Sequence, residues 1–151
     1  MVTTAATVAD ERVVEVATQL RMAILRTARR LRQEAGVDLG PALIAALGTI
    51  ERNGPLTPSE LADLERVKRP TATRMINRLE AEGLIVRARD PADGRSCLVS
   101  ASARGLELLR RLRKRRTAYL ARRLRELDPD EVAELARAAE ILERLVEGER
   151  G

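Results

Sequence analysis

Residues 57–99 read TPSELADLERVKRPTATRMINRLEAEGLIVRARDPADGRSCLV, and the rest of the chain is organised around them. Two short helical patterns come first. A strand pattern follows, then a turn rich in Asp, Gly and Pro, then a second strand pattern. Helix, turn, helix, strand, turn, strand is the order of a winged helix-turn-helix unit.

The second helical pattern, residues 70–82, carries the sharpest signal. Pro70 suits a first helical position, where its missing N–H would be unpaired anyway. Ala72, Met75, Ile76 and Leu79 recur at three- and four-residue spacing and form one apolar stripe. The opposite side carries Thr71, Thr73, Arg74, Asn77 and Arg78. Those groups suit a major groove: Arg grips guanine with two hydrogen bonds, Asn pairs with adenine, and Thr reaches phosphate or a thymine methyl. A merely solvated helix shows the same side chains. The helix before it and the hairpin after it favour the groove.

The first helix of the unit opens on Thr57-Pro58-Ser59-Glu60, a capping box with Pro at the first helical position. Leu61, Leu64 and Val67 are expected to face inward. Pro70 disfavours a helical conformation at Arg69, so this helix should stop by Lys68. Gly83 should stop the next. Residues 84–89 and 97–100 read as the paired strands of a hairpin, with residues 90–95 as its loop. Arg87, Arg89 and Arg95 surround the tip and are placed to touch phosphates or the minor groove. Asp93 is expected to pair with Arg95 and stiffen the tip. Ser59 and Thr57, at the start of the supporting helix, are placed to meet phosphate.

Outside the unit the chain is helical. Residues 1–10 are small and weakly patterned and are expected to be flexible, with Asp10 as a cap. Over residues 11–34, Val13, Ala17, Leu20, Ile24, Ala28 and Leu31 keep a helical period, and Gly36 is the expected stop. Residues 40–52 form a second, well-buried helix opened by Pro41. Asn53-Gly54-Pro55 turns the chain, and Leu56 adds a very short strand. Ser102 opens a long helix toward Leu127, with Leu106, Leu109, Leu112, Leu120, Leu124 and Leu127 as its stripe. Arginines crowd the rest of that helix, and like charges one turn apart repel. Acidic partners such as Glu11, Glu15, Glu140, Glu143 and Glu147, together with DNA near the helix start, would relieve them. Asp128-Pro129-Asp130-Glu131 repeats the capping pattern before a last helix to about Val146.

The chain has 151 residues, enough for one domain with helical extensions. Hydrophobic residues make up 44%, yet Tyr119 is the only aromatic one, so the core must be aliphatic. The formal net charge of +5 fits a folded domain with a basic surface, for which nucleic acid is the commonest partner. A single cysteine, Cys97, excludes an intrachain disulfide. No secretory signal or membrane-spanning run is evident, so a cytoplasmic protein without membrane attachment is expected. With no His, no Gly-rich phosphate loop and no nucleophile motif, nothing suggests an enzyme.

The fold class is therefore mainly α with a small β-hairpin wing. Residues 39–100 would be the winged helix-turn-helix DNA-binding lobe, and residues 11–34 and 102–148 the helical dimerisation region. Long amphipathic helices at both ends are best buried against a second copy. Two recognition helices entering successive major grooves must lie about 34–36 Å apart, which implies a pseudo-palindromic operator.

The stretch LTPSELADLERVKRPTATRMINRLEAEGLIVR, then DPADGRSCLVSAS and Gly105, then the Leu/Arg helix, resembles the MarR family of transcriptional regulators. The similarity runs from about Glu11 to Val146, and Asp93-Gly94-Arg95 matches the family's wing turn. The resemblance implies an obligate homodimer that represses transcription until a small ligand or an oxidant relieves it. Carried over by position, it makes residues 70–82 the groove reader, through Arg69, Thr71, Thr73, Arg74, Asn77 and Arg78. Arg95 becomes the wing arginine and Asp93 its buttress. Family members that sense peroxide carry a cysteine near the first helix; Cys97 is on a wing strand and reads as a small strand residue. A zinc switch would have only carboxylates to use. An inducer, aromatic or anionic, would sit among the first, second and long helices, with Arg21 or Arg29 as candidates. No cofactor is indicated. The alternative is a winged-helix dimer that serves as a protein-interaction scaffold without specific DNA binding. Such a helix would usually expose Leu, Tyr or Trp as anchors.

Overall fold

The computed structural model describes residues 3–147, with the side chains of residues 3–9 and 35 left aside. The described elements run α1 (Thr3–Ala35), α2 (Pro41–Asn53), α3 (Pro58–Leu64), α4 (Arg69–Ala81), β1 (Ile85–Arg89), β2 (Cys97–Ala101), α5 (Ala103–Leu124) and α6 (Pro129–Glu147). The fold is mainly helical with one antiparallel hairpin, as the sequence predicts.

Local chemistry sets most boundaries. Thr57 Oγ1 accepts the Glu60 N–H at 3.2 Å, and a Glu60 carboxylate oxygen accepts the Thr57 N–H at 2.6 Å. This reciprocal cap pulls the Glu60 pKa below its ordinary value, chiefly through the Thr57 backbone hydrogen bond. α4 ends before Gly83, whose φ of +71° is the left-handed conformation that glycine adopts without a Cβ clash. Leu56 bridges to Val99, so the expected short strand exists as a single rung beside the hairpin.

The core lies where α2, α3, α4, the hairpin and the start of α5 converge. Leu47, Ile50, Leu61, Ile76, Leu79, Val99 and Leu112 are fully buried there. α4 buries the expected stripe: Ala72, Ile76 and Leu79 are inside and Met75 packs beside them. α5 meets the hairpin so closely that a Cβ on Gly105 would stand 2.1 Å from the Leu84 carbonyl oxygen. Only a glycine fits that helix start.

Four expectations need correction. α1 begins at Thr3, so Asp10 lies inside it and caps nothing; Met1 and Val2 fall outside the described residues. Ala5, Ala6 and Ala9 favour helix, and no Gly or Pro interrupts them. Leu64 is 52% exposed, and Ala62 takes its place inside. Leu61 and Ala62 set the inward direction of α3, and Leu64 lies about 110° around the helix from their midpoint. Leu106 is likewise exposed while Leu108 is buried, because Gly105, Leu108, Leu109 and Leu112 form the face that meets the lobe. Finally, Arg110, Arg113 and Arg123 pair with Glu107, Glu51 and Glu126 rather than with the acids of the terminal helices. Two of these partners are within three residues on the same chain segment, where reaching them orders least of the chain.

Helices α1 and α6 leave large apolar side chains uncovered. α6 buries none of its residues, and Leu135, Ile141, Leu145 and Val146 are exposed. On α1, Val13, Val14, Val16, Leu20 and Ile24 are exposed as well. No helix among the described residues is long and apolar enough to cross a membrane.

Candidate nucleic-acid interface

The supporting helix α3 ends in a turn that aims α4. Arg66 takes φ +53°, an uncommon conformation for a residue with a Cβ, and the Val67 N–H bonds back to the Ala62 carbonyl at 2.9 Å. Half-buried Val67 closes that turn. Lys68 then caps α4 with extended backbone, and the Thr71 and Ala72 N–H groups bond to its carbonyl at 2.9 and 3.1 Å.

With α4's apolar side against the core, its outward face is fixed. At about 100° per residue, Pro70, Arg74 and Asn77 lie at the centre of that face. Thr73 flanks them on the wing side, and Arg69 and Arg78 lie near its edges. Arg69, Thr73, Arg74, Asn77 and Arg78 are all exposed. Thr71 is half-buried, and its hydroxyl accepts a long 3.4 Å hydrogen bond from Arg74. Arg78 forms an ion pair with Glu82 at 2.8 Å. It also lines a cleft shared with Arg104 and Arg111 at the start of α5.

Strand β1 brings the wing alongside. Arg87 faces Val99 and Arg89 faces Cys97 in the antiparallel register. Period two places Ile85, Arg87 and Arg89 on one side of β1, and Ile85 is buried in the core. Arg87 therefore reaches α4: its Nη2 donates to Asn77 Oδ1 at 2.5 Å, and its Nε pairs with Glu80 at 2.8 Å. The loop between the strands is tied by two Asx turns. Asp90 Oδ1 accepts the Ala92 N–H at 2.9 Å, and Asp93 Oδ1 accepts the Arg95 N–H at 3.0 Å. Asp93 thus holds the backbone of Arg95 and not its guanidinium, which stays at the exposed tip. Thr57's hydroxyl is committed to its own cap.

The structure joins Asn77 to Arg87, sets Thr73 and Arg74 on the same exposed face of α4, and leaves Arg95 at the exposed wing tip. Arg89, expected on DNA with the other wing arginines, is exposed on the same side of β1 as Arg87. Two residues near this surface were not singled out from sequence: Lys68, which is exposed, and Glu80, which anchors Arg87. Nothing in the sequence pointed to Glu80, whose link to Arg87 crosses from helix to strand.

A second concavity lies behind the lobe, between α1, α2 and α5. It encloses about 510 Å³ and is lined by Ala28, Leu31, Ile44, Thr49, Glu65 and Leu112 together with Arg32, Arg52, Arg113 and Arg116. Thr49 donates to Glu65 at 2.5 Å and accepts from Arg52 at 3.2 Å. Arg116 Nε is buried and has no acceptor among the described residues. Arg29 lines a smaller neighbouring hollow of about 300 Å³ with Arg32 and Arg116, while Arg21 lines neither.

Residues 39–97 match the family model described as MarR family, and that segment contains α2, α3, α4 and β1 and ends on the first residue of β2. An HTH-type transcriptional regulator of Mycobacterium bovis is 38% identical over 133 residues, covering 87% of this chain and 93% of its own. The chain belongs to the MarR family. A solved transcriptional regulator from Pseudomonas aeruginosa superposes with a TM-score of 0.81 at 38% identity, over 88% of this chain and 94% of that one. The HTH-type transcriptional repressor MdtR of Bacillus subtilis is 32% identical over 111 residues, or 69% of this chain and 72% of its own. This MarR-family chain is a DNA-binding transcriptional regulator rather than an enzyme, and double-stranded DNA is its partner.

Proposed function

We propose that this chain is a cytoplasmic homodimeric repressor that reads a pseudo-palindromic operator and is released by a small ligand. One observation carries the reading: the outward face of α4 is polar and cationic from Arg69 to Arg78, with no apolar anchor, and the wing arginines stand beside it. A protein-docking helix would need a desolvated anchor at its centre. Residues 39–100 are the reading lobe, through Arg69, Thr71, Thr73, Arg74, Asn77, Arg78 and Arg95, with Arg87 held against Asn77 in the same surface and Asp93 bracing the wing. Residues 11–34 and 102–148 are the dimerisation region.

The uncovered apolar faces of α1 and α6 support the dimer. Clustered exposed apolar side chains mark interaction surfaces, and these lie on α1 and α6, neither of which contributes to the buried core cluster. The likeness to MdtR, itself a repressor, supports the sign of regulation. The cationic concavity behind the lobe supports release by an aromatic or anionic ligand, since Arg116 offers a buried N–H that has no acceptor among the described residues. Selection of bound duplexes from a random pool tests the core of the reading. An inverted repeat with half-sites one or two helical turns apart is the expected outcome. Enrichment of nothing above background would refute it. Sedimentation should give a dimer that Leu135→Glu on α6 converts to monomer. Titration with benzoate should raise the melting temperature and release the operator.

A further inference from the structure

We propose that Arg87 is a positioning residue for base recognition: it holds Asn77 by its carbonyl oxygen and turns the amide nitrogen toward the groove. This rests on the double-stranded DNA reading above and adds how one of its readers is tuned.

An asparagine amide is symmetrical in shape, and which end faces which way is settled by its hydrogen-bond partners. Arginine has only donors. The atom of Asn77 that faces Arg87 Nη2 at 2.5 Å must therefore be the oxygen. Glu80 fixes the other side of the guanidinium, taking its Nε at 2.8 Å. Asn77 and Glu80 are three residues apart on one edge of α4. A single guanidinium on β1 thus pins that edge to the wing strand. Arg87 is also less exposed than Arg78, which lies across the outward face of α4 from this edge: 31% of its side chain is accessible against 62% for Arg78.

Two consequences follow. The bidentate adenine contact needs the amide oxygen and nitrogen together. With the oxygen turned toward Arg87 on the wing side, the amide offers its N–H donors to the groove, and these match acceptors such as guanine N7 and O6 or thymine O4. Arg87's charge, meanwhile, is matched by Glu80 and not by phosphate.

The test is duplex selection from a random pool at one salt concentration. It compares the unaltered protein with Asn77→Ala, Arg87→Ala and Glu80→Ala, and adds salt titrations on the preferred site. Asn77→Ala should lose preference at one base pair in each half-site by roughly tenfold. Arg87→Ala and Glu80→Ala should shift that same base pair toward adenine and leave the others as they were. The salt slope should stay unchanged in Arg87→Ala, whereas a lost phosphate contact would reduce it by about 1. An unaltered motif in Arg87→Ala, or uniform weakening with the reduced slope, would overturn the positioning role while leaving DNA reading intact. No motif for the unaltered protein would remove the DNA reading itself. Should Arg87→Ala not fold, Glu80→Ala carries the comparison, because its backbone and cap are untouched.

Discussion

Replacing Gly105 by alanine probes the joint on which the lobe is mounted. The added Cβ would meet the Leu84 carbonyl oxygen at 2.1 Å and a Leu47 methyl at 3.2 Å. An ordinary carbon–oxygen contact is near 3.3 Å, so α5 and β1 must separate by roughly 1 Å. That movement strains two hydrogen bonds at the same joint: Ser102 N–H to the Leu84 carbonyl at 3.0 Å, and Ser102 Oγ to the Gly83 carbonyl at 2.6 Å. Overpacking costs about 1–3 kcal/mol. Losing the two hydrogen bonds adds about 1 kcal/mol each. Alanine's better helix propensity returns about 1 kcal/mol. The net expectation is a loss of about 2–4 kcal/mol, taking these central values. Urea unfolding followed by circular dichroism, at one fixed protomer concentration, measures it. Gly94→Ala is the control, since nothing lies within 4 Å of its added Cβ; it should stay within about 0.5 kcal/mol. A loss below about 0.5 kcal/mol for Gly105→Ala would refute the reasoning, because the joint would then have room the structure does not show.

Arg74→Ala should weaken binding to the preferred duplex by roughly 1–3 kcal/mol and relax its sequence preference; fluorescence anisotropy on matched and scrambled duplexes measures both, and equal loss on all sequences would make Arg74 a phosphate contact. Arg95→Ala at the wing tip should lower affinity on every sequence and reduce the salt slope by about 1; an unchanged slope removes the wing tip from the interface. Glu51 is held below the ordinary carboxylate pKa, first by its hydrogen bond from Arg113. Its contribution is present above the unfolded carboxylate value of about 4.3 and is lost as pH falls through the lower folded value. Glu51→Gln should therefore be less stable than the parent at neutral pH, with the gap closing in acid; a gap constant from pH 7 to pH 3 would show that Glu51 acts without titrating.

The polar face of α4 proposed to read DNA was largely legible because it rests on rules that act over a few residues. The Thr57 box and Gly83 bound the helices, while α4 starts at Arg69, one residue before the expected Pro70; the period of Ala72, Met75, Ile76 and Leu79 fixed which side of α4 is buried. Where burial depends on a neighbouring element, short patterns misled. Leu64 and Leu106 fit an apolar spacing yet are exposed, since the inward direction of α3 and α5 is decided by what packs against Ala62 and Gly105.

The sequence by itself determined the element order, the polar face of α4 and the arginines of the wing, because capping, periodicity and turn chemistry are local. Tertiary structure alone decided the partners of the charged side chains. It sent Arg87 to Asn77 and Glu80, Arg113 to Glu51, and left Arg116 Nε buried without an acceptor among the described residues. A guanidinium's partner depends on which elements the shared core brings within a few ångströms, and that distance is written in no single stretch of the chain.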